Sequence, residues 1–169
     1  ALLNDQFGTK VMTEDTIGYE RWLESEPDSA PLHTTLAALY LELKKPQDAV
    51  RHFRAAAHLE PESAPAHFNL GTALTVAGDY DSAVLEYQRA LAIRKDYPQA
   101  HNNLASILLS TGKAQEALTH LAEALRLDPS NAQAHYNAGI ASLRLGKQPD
   151  AIAHLPRLGE QLLGDLLAQ

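Results

Sequence analysis

A spacing of 34 residues runs through most of this chain without a gap, and no other feature constrains its fold as tightly. Ala49, Ala83, Ala117 and Ala151 stand at that spacing, as do Ala56, Ala90 and Ala124, and as do Ala37, Gly71, Ala105 and Gly139. A fixed period of this length marks a solenoid, in which each unit stacks on its neighbour instead of folding around a shared centre. The functional question then becomes which surface the stack presents, not which active site it holds.

Four blocks follow, over residues 30–63, 64–97, 98–131 and 132–155, the last with a degenerate second half. Each splits into two helical segments. In the second block Leu70, Leu74 and Ala77 form one stripe at helical spacing. Gly78-Asp79 interrupts, and Ala83, Tyr87, Ala90 and Leu91 form the inward stripe of the next segment. The third block repeats this with Leu104, Leu108, Gly112, Ala117, Leu121, Ala124 and Leu125. Small residues let helices approach to about 8 Å, so Gly71 with Ala83 and Ala105 with Ala117 are expected at the crossings, with Tyr87 and Leu121 filling the gap beyond. Pro61 and Pro129 are expected to close their blocks. Lys95 stands in that place in the second block, which predicts an exit one turn longer.

The ends depart from the pattern. Residues 16–29 read as a capping helix, with Tyr19, Trp22 and Leu23 on one side. Residues 1–15 read as an extended arm. Pro156 predicts a break, followed over 156–169 by a short amphipathic capping helix through Leu162, Leu163, Leu166 and Leu167. The first residue is not Met, which points to a processed chain or to a piece of a longer one; the second is the expectation.

The residues Asn69-Leu70-Gly71, Gly78-Asp79-Tyr80, Ala83, Tyr87 and Ala90-Leu91 resemble the tetratricopeptide repeat, and the other three blocks match in register. The resemblance implies an all-α fold: a right-handed superhelical solenoid of antiparallel helix pairs. It also implies that the first helices line a concave groove that takes a peptide or a segment of another protein. The Ala-His-x-Asn-Leu-Gly style is similar to that of the O-linked N-acetylglucosamine transferases, whose Asn ladder grips substrate backbones. The matching positions are Asn69, Asn103 and Asn137; no glycosyltransferase domain accompanies them, so that activity does not carry over.

Stacking turns each block position into a column. A carboxamide binds both groups of a peptide unit without reading its side chain, so Asn69, Asn103 and Asn137 are candidates for backbone capture. The competing reading has them bonded within the helix layer or solvated. Three such bonds at about 0.5–1.5 kcal/mol each imply binding no tighter than micromolar. Phe68, Asn102 and Tyr136 form the column one residue earlier, with Thr72 and Ser106 one turn further on. These are candidate groove residues, Phe68 and Tyr136 as walls for an apolar side chain; shielding the seam between blocks is the alternative. A third column, His33, His67, His101 and His135, is read as packing between the helices of a unit. Metal binding is not expected, because parallel copies point the same way and no Cys or carboxylate recurs beside them.

Composition narrows the functions further. A formal charge of −7 argues against nucleic acid, which needs a surplus of Lys and Arg on one face. Eight His can bring that charge towards neutral in mild acid. There is no Cys, hence no disulfide or thiolate chemistry, and the compartment stays open. No apolar run approaches the roughly 18 residues of a membrane span. No phosphate loop, His-Glu-x-x-His or Gly-x-Ser-x-Gly is present, so no catalysis and no cofactor are expected. Nor do Thr34, Thr35, Ala38, Pro65 and Asn69 supply the cations of a chaperone-tail clamp. The expectation is a non-catalytic interaction scaffold. The alternatives are a docking module of a larger, possibly enzymatic, protein, and a structural protein that self-assembles through its terminal caps.

Overall fold

The computed structural model describes residues 15–154, and every regular element among them is an α-helix. Asp15 opens α1; the rest of the expected amino-terminal arm and the capping helix expected over 156–169 lie outside the described residues. The elements are α1 (15–25), α2 (Ala30–Glu42), α3 (Pro46–Leu59), α4 (Ala64–Ala77), α5 (Tyr80–Ile93), α6 (Pro98–Ser110), α7 (Ala114–Leu127), α8 (Ala132–Arg144) and α9 (Gln148–His154). The chain divides into two compact units at Lys95 and Asp96. In the first, α2 packs on α3, α3 on α4 and α4 on α5; in the second, α6 packs on α7, α7 on α8 and α8 on α9, and α6 also meets α8.

Local chemistry sets where helices begin. Ser63 and Asn131 cap α4 and α8, accepting from the backbone N–H of Ala66 and Ala134 at 3.4 and 2.9 Å. Asp79 caps α5 through Ser82 N–H at 3.2 Å. Each cap satisfies a donor that the first turn leaves without a helical partner. Proline stands within the first two positions of α2, α3, α4 and α6, where its missing N–H costs nothing.

Each first helix ends in the same left-handed turn. Lys44, Gly78, Gly112 and Gly146 have φ of 57°, 83°, 82° and 70°. The next residue's N–H then reaches back five residues: Lys45 to Tyr40, Asp79 to Leu74, Lys113 to Leu108 and Lys147 to Ser142, at 2.8–2.9 Å. This is the Schellman arrangement, which satisfies the last carbonyls. Gly112 is therefore an exposed turn residue rather than a member of the third block's inward stripe. The longer exit expected after the second block is absent: α3, α5 and α7 end at Leu59, Ile93 and Leu127, the same point of the period. The proline is not what stops them. In each, the cap N–H (Glu60, Arg94, Asp128) closes the ladder on Ala56, Ala90 or Ala124 before any proline is reached.

The core is a set of alanine crossings. Ala37, Ala49, Ala83, Ala105, Ala117 and Ala151 are fully buried, as are Ala90 and Ala124. Tyr87 lies closer to the crossing than the sequence suggests: a Cβ on Gly71 would sit 2.9 Å from its ring carbons. The ring thus occupies the space that a side chain at position 71 would need. Its hydroxyl bonds the Thr72 and Thr75 hydroxyls at 3.3 Å, which fixes it there.

Lys44 is the one non-glycine residue with positive φ among those described. A left-handed conformation costs an L-residue roughly 1–2 kcal/mol that glycine avoids. Lys44→Gly is therefore expected to raise unfolding free energy by about 1 kcal/mol, read as a higher urea midpoint at unchanged slope.

Candidate functional site

The first-helix columns do not behave as uniform ladders. In the second unit, Asn137 and Asn102 are buried and bonded to each other, Asn137 Nδ2 donating to Asn102 Oδ1 at 3.1 Å. Asn102 Nδ2 donates in turn to Asn103 Oδ1 at 3.4 Å, and Gln133 Nε2 donates to Asn137 Oδ1 at 3.2 Å. The result is a chain of four side-chain amides, Gln133–Asn137–Asn102–Asn103, that ties α8 to α6. Beside it, Tyr136 holds its ring 45% exposed, and Ser106 is exposed one turn along α6. The Arg144 guanidinium adds a second tie between these helices by donating to the Leu109 carbonyl.

In the first unit the same positions are arranged differently. Phe68 packs on Tyr87, ring centroids 5.8 Å apart and planes tilted 50°. Thr72 donates to the Phe68 carbonyl at 3.0 Å and accepts from Tyr87. The Asn69 carboxamide is half-buried, with no hydrogen-bond partner among the described residues. So Asn102 and Asn137 belong to one network although they come from different sequence columns, and Phe68 and Tyr136 share a column but not an environment.

The histidine column carries the most regular geometry, and its other half went unread in the sequence. His33, His101 and His135 each meet a second histidine 19 residues later, on the second helix of the same pair. The Nδ1···Nδ1 distances are 3.0 Å for His33–His52, 3.0 Å for His101–His120 and 3.3 Å for His135–His154. In the second block the partner is Glu86, whose Oε2 lies 2.7 Å from His67 Nδ1. The partners His52, Glu86, His120 and His154 stand 34 residues apart, so the recurrence was present in the sequence, with imidazole at three places and a carboxylate at one.

Protons can be placed from the far side of the rings. His33, His67 and His135 each direct Nε2 at a carbonyl, of Pro27, Pro61 and Pro129, at 3.0–3.1 Å. A carbonyl only accepts, so Nε2 carries hydrogen. In a neutral ring Nδ1 is then the acceptor, and in the His33 and His135 pairs the partner's Nδ1 must donate. Opposite Glu86 a further proton must lie in the 2.7 Å gap. Burial lowers the affinity of His52, His120 and His154 for protons below the ordinary imidazole value; Arg51 and His33 reinforce this at His52, His101 at His120, and His135 at His154. Among the described residues no group of three or more His, Cys, Asp or Glu is gathered to hold a metal ion.

A cavity of about 710 Å³ lies in the first unit between α3 and α5. His67 and Glu86 line it, with Arg54, His58 and Arg89 around an apolar wall that includes Leu70 and Ile93. Arg89 donates to Glu86 Oε1 at 2.7 Å, so one carboxylate joins the imidazole to a guanidinium. No described helix is long and apolar enough to cross a membrane.

Two tetratricopeptide repeat models match, one over residues 34–101 and one over 105–146, together close to two thirds of the chain. The chain belongs to the tetratricopeptide repeat family. No curated protein sequence matches it significantly. Among solved structures it resembles MamA, at 21% identity and a TM-score of 0.82, over 90% of this chain and 89% of that one. A MamA spanning residue 41 to the end, from Desulfovibrio magneticus RS-1, gives 18% identity and a TM-score of 0.79, over 86% and 82%. YrrB, described as a TPR protein with an unusual peptide-binding site, gives 23% identity and a TM-score of 0.74, over 90% and 79%. At these identities the likeness shows the fold: all-α, a solenoid of tetratricopeptide repeats.

The amide chain yields a stability contrast. Asn137→Ala strands the buried Asn102 oxygen, which costs about 1–3 kcal/mol. Asn69→Ala removes no described bond and is expected within about 0.5 kcal/mol of the parent. Urea unfolding of the two variants side by side checks the difference.

Proposed function

We infer that this chain is a non-catalytic interaction scaffold that binds an extended peptide or protein segment along the first-helix faces of its repeats. The observation that carries the reading is the exposed Tyr136 ring beside the Gln133–Asn137–Asn102–Asn103 amides. A half-exposed aromatic offers a large contact area at little entropic cost, and side-chain amides offer donors and acceptors to a peptide backbone. YrrB, which shares the fold, is described as having a peptide-binding site.

Roles divide by burial. Asn103 and Ser106 meet the backbone of the guest in the second unit, and Tyr136 takes one of its apolar side chains. Asn102 and Asn137 hold α6 and α8 at the spacing that this contact requires. In the first unit Asn69 and Thr72 serve the backbone and Phe68 supplies the apolar surface. Weak, sequence-tolerant affinity follows, because backbone bonds add only about 0.5–1.5 kcal/mol each.

Peptides selected by display against the immobilised protein and titrated by calorimetry test this. Tyr136→Ala and the Asn69→Ala/Asn103→Ala pair are each expected to weaken binding about tenfold or more, with unchanged helicity by circular dichroism. Equal affinity in all three proteins would remove the first-helix faces from the account.

A further inference from the structure

Seven of the eight histidines stand in the clasps between first and second helices. In the three imidazole pairs the ring centroids are 5.3–5.5 Å apart while the nitrogens are 3.0–3.3 Å apart, so the rings meet nearly head-on. Head-on rings share a proton between two nitrogens. They do not converge on a third point, as two ligands of one ion must.

We propose that these clasps make a proton-driven switch: in mild acid the helix pairs α2–α3, α6–α7 and α8–α9 loosen, while α4–α5, clasped by His67 and Glu86, stays closed. The argument is a count of protons. A neutral imidazole pair already holds one hydrogen in its gap. It can take one more on the outer nitrogen that carries no hydrogen and keep the bond, because the charged ring still donates to a neutral one; at His52 that nitrogen faces the Arg51 guanidinium at 3.3 Å, which further opposes the added proton. A second added proton leaves two N–H groups facing each other at 3.0 Å with two positive charges, and the bond is lost. Two exposed imidazoles in an opened hairpin take both protons freely. Each closed pair therefore withholds about one proton relative to its open form.

The surrounding groups keep that sign. Those acting on His52 are Arg51 and His33, which oppose its charge, and Glu20 and Asp48, which favour it; burial outweighs them. Tyr40, stacked on His52 at 5.5 Å, stays protonated, its pKa raised to about 12 by burial and by its bond to Glu20. Glu116 favours charge on His120 and Asp150 favours it on His154, each outweighed by burial and by the facing imidazole. Glu123, carried on α7 and bonded to Arg126, acts on His101. Because the folded values of His52, His120 and His154 lie below the ordinary one, their contribution is complete above about pH 6.5. It is lost as the pH falls below that towards the folded values. The second repeat differs in kind: a charged imidazole facing a carboxylate is an ion pair. Glu86 replaces histidine there, and Ser82 stands where the other three repeats carry Asp48, Glu116 and Asp150. Repeat arrays open locally, so one chain can hold both behaviours.

Native-state hydrogen exchange of the intact chain at pH 7.5 and 5.5, corrected for intrinsic exchange, tests the proposal. Opening of α2–α3, α6–α7 and α8–α9 is expected to rise about tenfold relative to α4–α5, the factor for one withheld proton one unit below 6.5. His120→Glu with Glu116→Ser sets a carboxylate opposite His101, as Glu86 faces His67, and is expected to abolish the rise in α6–α7 alone. Uniform loosening of all four pairs, or an unaltered rise in that variant, would overturn it. If the variant does not fold, a direct imidazole titration by NMR decides: at least three rings must titrate below the ordinary range, and ordinary values for all would end the idea.

Discussion

The close approach of two helices within each repeat is the constraint on which everything else rests. It is set by alanine and glycine at a few positions. Ala37 and Ala49, Gly71 and Ala83, Ala105 and Ala117, and Gly139 and Ala151 are all buried. Side chains this small bring helix axes to the near end of the usual 8–10 Å range. Larger ones would hold the axes apart and break the 34-residue register. The space that Gly71 leaves is filled by the Tyr87 ring.

Close packing at the crossing sends polar side chains to its margins, where they meet across the pair. A histidine on a first helix reaches the second helix near its middle, and the group it finds there decides what the clasp does. Neutral imidazoles share a proton; a carboxylate makes an ion pair. Elsewhere in the second unit the amides of Gln133, Asn137, Asn102 and Asn103 tie one first helix to the next. Interior hydrogen bonds of this kind stabilise by little individually, but leaving one half-made is costly. They therefore fix register more than they add stability.

The period, the helix pairing and the crossing alanines were legible in the sequence because each depends on residue size at fixed spacing. Burial within the candidate columns was not. Asn69 and Asn137 share a position in the repeat, yet one carboxamide is half-buried and unpartnered among the described residues while the other is buried and doubly bonded. The difference comes from the neighbouring repeat: Asn137 finds Asn102 on α6, 35 residues earlier, whereas the residue 35 before Asn69 is Thr34, which carries no carboxamide. Column reasoning treats repeats as identical and misses such exchanges. The histidine partners were missed for another reason. The matching residue stands not beside each histidine but 19 positions on, across the hairpin, where only the pairing of the two helices brings it near.

Hydrogen exchange of an Ala83→Leu variant at neutral pH tests the crossing most directly. The extra atoms have no room between α4 and α5, and overpacking of this kind costs about 1–3 kcal/mol. Exchange should rise throughout both helices together, while Leu85→Ala, at a side chain 56% exposed on the same helix, leaves protection as it was. Unchanged protection in α4 and α5 of the Ala83→Leu protein would contradict the account.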